Sequence, residues 1–338
     1  MPSIELLLAG AIMVSLTFYA LMGGADYGGG VWDLLVWGPR ARKQRELIAE
    51  AIGPIWEANH VWLILVVVIL FTGFPPAFAA IAIALHIPLT LMLIGIVLRG
   101  SAFTFRAYDK HADQGQRRWG RIFAIASLVT PIVLGMTVGA IASGRIIIDN
   151  GRVTTDFVSS WFAPFPLAVG FWALALFAFL AAVYLTLETD DEQLREDFRR
   201  RALAAAVAVG LMALVVFLLS ESGAPSIRRG LSEKWWSWPL HLATGAFAVA
   251  AMFALWTRRF YSARLLAAGQ VTLILWGWGA AQFPYIVEPG LTIHNAAAPD
   301  TTLRLLLIAL LMGLLLLLPS FYYLFRVFKS DSSNRHKG

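Results

Sequence analysis

The chain has 338 residues, 59% hydrophobic and only 14% charged, against about 45–50% apolar and about 25% charged in soluble domains, which excludes a water-soluble globular domain. Its net charge of +6 gathers in the connections between apolar runs, so no nucleic-acid surface is needed to account for it. With no cysteine, a disulfide framework, a thiolate metal site and an iron–sulfur cluster are excluded.

Apolar runs of bilayer-spanning length, about 20 residues, recur along the whole chain. They predict an all-α, polytopic membrane protein with nine transmembrane helices at 5–37, 55–73, 75–99, 120–144, 162–188, 199–220, 236–257, 261–281 and 303–327. The first run follows an acidic Glu5, with no basic n-region and no A-x-A cleavage site, so it reads as a retained helix rather than a signal peptide. GGADYGGG interrupts it at 23–30, where glycine permits a bend or a very close helix approach.

Lysine and arginine set the direction of the helices. The segments after helices 1, 3, 5, 7 and 9 carry 4, 6, 4, 3 and 4 of them, 21 of the 27. The bias predicts an N-terminus outside and a C-terminus in the cytoplasm.

The second run opens with GPIWEANHVWLILVVVILF, with Glu57, Asn59 and His60 at its mouth between Trp56 and Trp62. Helix 2 runs outward, so these residues lie just within the cytoplasmic edge, and the inward-running helix 1 brings Asp26 to a similar depth. Helical spacing sets Trp56 over His60 at i+4 and Glu57 beside it at i+3. A buried carboxylate is costly unless paired, protonated or wetted, and such a cluster is suited to hold water and pass protons inward. The plain alternatives are that Glu57 caps its helix against the macrodipole, that Asp26 caps a broken helix, and that Trp56 and Trp62 are interfacial anchors.

His86 falls at the middle of the third run, two residues before Pro88, where it either bonds a carbonyl freed by the proline or meets a partner or a proton path. Arg99 and Arg106, in LRGSAFTFRAY, end that run on the inside, where snorkelling alone accounts for them; otherwise they are interface or polar contacts. Glu188 to Arg201 read as a solvated, mixed-charge turn. His241 stands at the outer edge of helix 7, while His111, His294 and His336 lie in loops or the tail. A haem held between two helices needs two histidines at one depth. His60, His86 and His241 are staggered, so none is expected to be ligated wholly within this chain, and no metal site is expected. No Walker loop, HExxH motif or nucleophile elbow occurs, and no catalytic residue is assigned.

GGADYGGGVWDLL, then IAEAIGPIWEANHVWLI, then LRGSAFTFR resemble the signature order of subunit II of the cytochrome bd-type terminal quinol oxidases, and AQFPYIVEP resembles a late segment of that family. The specific elements are G-x-D-x-G-x-G, met by Gly24, Asp26, Gly28 and Gly30, and W-[DE]-x-N-x-x-W-L, met by Trp56, Glu57, Asn59, Trp62 and Leu63. The resemblance implies two four-helix bundles, 1–144 and 162–281, a peripheral ninth helix at 303–327 and a cytoplasmic tail at 328–338. It also implies pseudo-symmetric pairing with a homologous haem-bearing subunit I that holds haems b and d, in a bacterial inner membrane. This chain then binds no cofactor alone, quinone or lipid between its helices aside; membrane quinol and a small single-helix subunit are further expected partners. Glu57 occupies the carboxylate position associated with the family's cytoplasmic proton pathway, with Asp26 a second carrier and His60 a relay. Two departures stand out: Gly23 where many members carry an acid, and Glu57 where Asp is usual. A secondary transporter, and the membrane anchor of another respiratory complex, are the alternatives. The first calls for an interrupted helix in each half and the second for a haem in the isolated chain.

Overall fold

The computed structural model describes residues 3–52, 56–108 and 113–335, with side chains left aside at 56, 57, 106–108, 113–117, 321 and 324–335. In chain order the helices are α1 (Ile4–Phe18), a π-turn (Tyr19–Gly23), α2 (Gly24–Leu34), α3 (Ala41–Ile52), α4 (Trp56–Gly73), α5 (Pro75–Ala84), α6 (His86–Tyr108) and α7 (Asp113–Ala142). After a short hairpin of β1 (Ile148–Asp149) and β2 (Arg152–Val153) come α8 (Pro164–Leu185), α9 (Glu192–Gly223), α10 (Pro225–Glu233), α11 (Ser237–Trp256) and α12 (Phe260–Gln282). A second hairpin, β3 (Tyr285–Val287) and β4 (Leu291–Thr292), leads into α13 (Asp300–Arg335). Among the described residues seven helices are long and apolar enough to cross a membrane, or eight if the bent pair α4 and α5 forms one span.

The first helix is not broken at GGADYGGG. It passes through a single π-turn and continues as α2, and the glycines serve packing instead. A Cβ on Gly28 would lie 1.9 Å from the Phe177 carbonyl oxygen, on Gly24 2.5 Å from the Phe177 ring, and on Gly30 2.2 Å from Ser127 Oγ. α2 thereby lies flat against α8 and α7, and Trp32 Nε1 donates to the Ala178 carbonyl across this contact at 2.8 Å. The main apolar core runs through both halves of the chain, from Tyr19, Tyr27 and Trp32 to Phe179, Phe198 and Leu255.

Three departures from the sequence expectations have clear causes. The run expected as one helix at 75–99 is two: α5 turns 117° from the axis of α4, and α6 starts at His86 and runs on to Tyr108. Pro75 disfavours the helical region for Phe74, and the Pro88 ring clashes with the carbonyl four residues earlier, ending α5. His86 is therefore not at the middle of a span. It begins α6, exposed, with Nδ1 3.0 Å from the Ile83 carbonyl and its ring 4.7 Å from that of Phe157. Second, α13 runs on to Arg335, so the tail expected at 328–338 is helical over 328–335. Third, the connection 38–54 contains α3, which buries Gln44, Leu47, Ile48 and Ile52 on one face, the i, i+3/i+4 stripe of an amphipathic helix.

α3 and the start of α9 are joined at the end of the molecule where the basic connections collect. Arg40 donates through Nε and Nη2 to the Asp197 carboxylate at 2.8 and 2.7 Å, Gln44 Nε2 donates to Asp197 at 2.7 Å, and Arg201 Nη2 donates to Gln44 Oε1 at 2.7 Å. The Asp197 carboxylate holds the Arg40 guanidinium above its ordinary pKa, so this cation keeps its charge at any working pH. The turn expected to be solvated is thus an ordered, partly buried lock. Asp197→Ala is expected to weaken it, since it removes the acceptor shared by Arg40 and Gln44. The measurement is tryptic cleavage at Arg40, Arg42 and Lys43 in membranes, which should rise about fivefold or more; unchanged cleavage would show the lock to be inert.

Candidate functional site: a buried carboxylate cluster between α2, α4 and α6

Asp26 stands in the first turn of α2, 5% exposed. Its carboxylate accepts a very short hydrogen bond from Asn59 Nδ2, so the two motif elements read from the sequence meet side chain to side chain. Arg99, 2% exposed, supplies the facing positive charge, and its attraction acts on Asp26. The guanidinium is held over the rings of Tyr27 and Phe123, 4.7 and 5.2 Å from their centroids, and its Nε donates to Ser127 Oγ at 3.2 Å. Arg99 does not snorkel: α6 continues past it, so it lies on the flank of the helix facing α2 and α7 rather than at an end.

A hydroxyl–imidazole chain leaves the same cluster. Tyr27 follows Asp26; its hydroxyl lies 3.4 Å from His60 Nε2 and 3.3 Å from the Tyr19 hydroxyl. The His60 ring is edge-on to both tyrosine rings, at 6.1 and 6.3 Å. Trp62 is buried and stacked on Phe18, centroids 4.5 Å apart, so it packs α4 onto α1. Two polar atoms in the cluster have no protein partner among the described residues: Asn59 Oδ1 and Arg99 Nη2. Buried polar groups are almost always satisfied, and one acceptor plus one donor beside a carboxylate is the lining that an ordered water fits.

The structure therefore brings together Asp26, Asn59, His60 and Arg99. Gly24, Gly28 and Gly30 set the α2 contacts, and His86 lies apart, against Phe157. The side chains of Trp56, Glu57 and Arg106 lie outside the described residues, as do His111 and His336. Sequence reasoning missed Tyr19, Tyr27 and Ser127. Tyr27 sits inside the quoted glycine motif and could have been found there; Ser127 carries no local signal.

No group of three or more His, Asp or Glu side chains gathers among the described residues in a way that suits a metal ion. His86 begins α6 and His241 lies near the start of α11, neither in contact with the Asp26 cluster. Each instead has a ring nitrogen at a main-chain carbonyl, Ile83 at 3.0 Å and Leu231 at 2.8 Å. α6 packs chiefly on α7, and α11 on α12.

A model of the family described as cytochrome bd terminal oxidase subunit II matches residues 4–328. The chain is 21% identical over 341 residues to the putative cytochrome bd menaquinol oxidase subunit II of Bacillus subtilis (strain 168), covering 97% of each protein. It is 26% identical over 340 residues to the cytochrome bd ubiquinol oxidase subunit 2 of the same organism, covering 96% of each. Against the cytochrome bd-I ubiquinol oxidase subunit 2 of Escherichia coli (strain K12) it is 26% identical over 217 residues, which is 63% of this chain and 54% of that protein. In fold it is similar to a chain of the bd oxidase from Geobacillus thermodenitrificans, with a TM-score of 0.79 at 24% identity over 97% of this chain and 99% of that one.

Proposed function

Because the chain belongs to the cytochrome bd terminal oxidase subunit II family, we propose that its buried polar cluster carries protons toward haem held by a partner subunit. The protein is a membrane-spanning subunit of an oxidoreductase complex that uses quinol to reduce oxygen. In this reading the partner is a homologous subunit I, and its haems b and d supply the redox chemistry by which quinol electrons turn dioxygen into water.

This chain's own part is to move protons. Each electron delivered to dioxygen requires a proton, and the basic end, with 21 of 27 lysines and arginines in its segments, is read as cytoplasmic by the positive-inside rule. The N-terminus is then outside and the C-terminus inside, with nine spans if α12 crosses as well. Glu57 takes up a proton near that surface. Asp26 is the second carrier, with the Arg99 guanidinium as the positive charge near it. His60, within reach of the Tyr27 hydroxyl, is the relay, since an imidazole titrates near neutral pH. Drawing the protons from one side while quinol releases its own on the other separates charge without a pump.

The single observation that carries this reading is the carboxylate of Asp26, buried yet hydrogen-bonded to Asn59 in a pocket that retains an orphan donor and an orphan acceptor. Such a site holds a mobile proton rather than a fixed ion pair alone. The transporter alternative is not favoured, because the family model matches residues 4–328; the interrupted helix among the described residues is the α4–α5 pair, not the first helix.

Glu57→Gln in the whole complex is expected to slow oxygen consumption by about tenfold or more, with the haem absorption spectrum retained. Turnover at the parental rate would remove Glu57 from the route.

A further inference from the structure

A second buried carboxylate on α2 takes no part in the cluster described so far. Asp33 is 5% exposed and stands seven residues after Asp26. Residues at i, i+4 and i+7 share one helix face, so Asp26, Gly30 and Asp33 form a single stripe about 10.5 Å long. α2 runs toward the basic end, which puts Asp33 nearer that surface, with its Oδ1 4.0 Å from Arg45 Nε on α3.

The middle of the stripe is open because residue 30 has no side chain. The Ser127 hydroxyl occupies that notch: it is fully buried and lies where a Cβ on Gly30 would be. It also accepts the Arg99 Nε bond, and so belongs to the Asp26 cluster. Along the axis the notch at Gly30 is about 6 Å from the level of Asp26 and about 4.5 Å from that of Asp33. Offsets of that size are on the scale that a bridging water spans, and on the Asp26 side the unpartnered Arg99 Nη2 and Asn59 Oδ1 are groups that would hold one.

We propose that Asp33 is an entry carboxylate through which protons from the basic end reach Asp26 by way of the Ser127 hydroxyl. The Asp33 carboxylate takes a proton from surface water. It releases that proton to bridging water as Ser127 Oγ accepts one proton and gives up its own toward Asp26, so that Asp33 returns to its charged form and Asp26 becomes the acid. This rests on the reading of Asp26 as a proton carrier. It also gives the chain an acid on this route to which the resemblance assigned no role, in a protein with glycine at position 23.

The test uses the intact complex. Asp33→Asn is expected to lower oxygen turnover per haem by about tenfold or more and to raise the solvent deuterium isotope effect, with haem content unchanged; Asp33→Glu should recover most of the rate. Ser127→Ala, which keeps both carboxylates, should slow turnover in the same direction and serves if Asp33→Asn fails to assemble. Parental turnover in Asp33→Asn or Ser127→Ala, alongside slow turnover in Asp26→Asn, would overturn the entry role and leave the proton function of Asp26 standing. Parental turnover in all three would remove both.

Discussion

Gly28→Ala is expected to abolish accumulation of the assembled complex. A methyl group at position 28 would lie 1.9 Å from the Phe177 carbonyl oxygen and 2.7 Å from Ala181 Cβ, and the first of these atoms belongs to the backbone of a buried helix. Rotation of a side chain cannot relieve the clash, so α2 must move away from α8. The Trp32 bond to the Ala178 carbonyl is lost with that movement, as is the packing of the Tyr27 ring on Phe177, whose planes are 17° apart. Overpacking costs about 1–3 kcal/mol where neighbours yield; here they do not, and the cost is expected above that range. The measurement is haem content of the complex purified through this subunit, with Gly10→Ala as control, because a Cβ there meets nothing within 4 Å. Parental yield from Gly28→Ala would show that α2 and α8 are not in the contact described.

Arg99→Gln is the second large effect. It leaves the Asp26 carboxylate buried without the positive charge near it, and a buried charged group that loses its compensation costs about 1–3 kcal/mol or more. The guanidinium also loses its places over Tyr27 and Phe123. Adding Asp26→Asn removes the uncompensated charge, so the double variant is expected to assemble better than Arg99→Gln alone, with a coupling of about 1–3 kcal/mol. Its oxygen turnover per assembled complex should stay low, because the carrier carboxylate is gone. Losses in assembly that simply add would mean that Arg99 and Asp26 do not feel each other.

These two variants also mark where sequence reasoning worked. Glycine density at 23–30 correctly signalled a close helix approach, because only residues without a side chain let backbones touch. The depth argument set Asp26 beside the opening of the second span, and the structure has Asp26 and Asn59 bonded. For Arg99 the sequence left snorkelling and a polar contact both open, because apolarity falls away at Arg99–Ser101 and a drop in hydropathy was taken for the end of the helix; the structure has the polar contact. The helix continues because its other face still packs on α7. α3 was passed over for a related reason. It is polar on average, yet its stripe of Gln44, Leu47, Ile48 and Ile52 was there to be read.

By itself the amino-acid order determined the solvent of this protein, its helical class and the motifs that assign its family. All of these depend on local composition and on periods of a few residues. Tertiary structure alone decided which helix faces meet: that Arg99 and Ser127 turn toward Asp26, that Tyr27 reaches His60, and that Trp32 finds a carbonyl 146 residues away. Helical periodicity says which side of a segment is special, but a neighbour is chosen by the packing of many side chains at once, in which each glycine, ring and hydroxyl must fit the others.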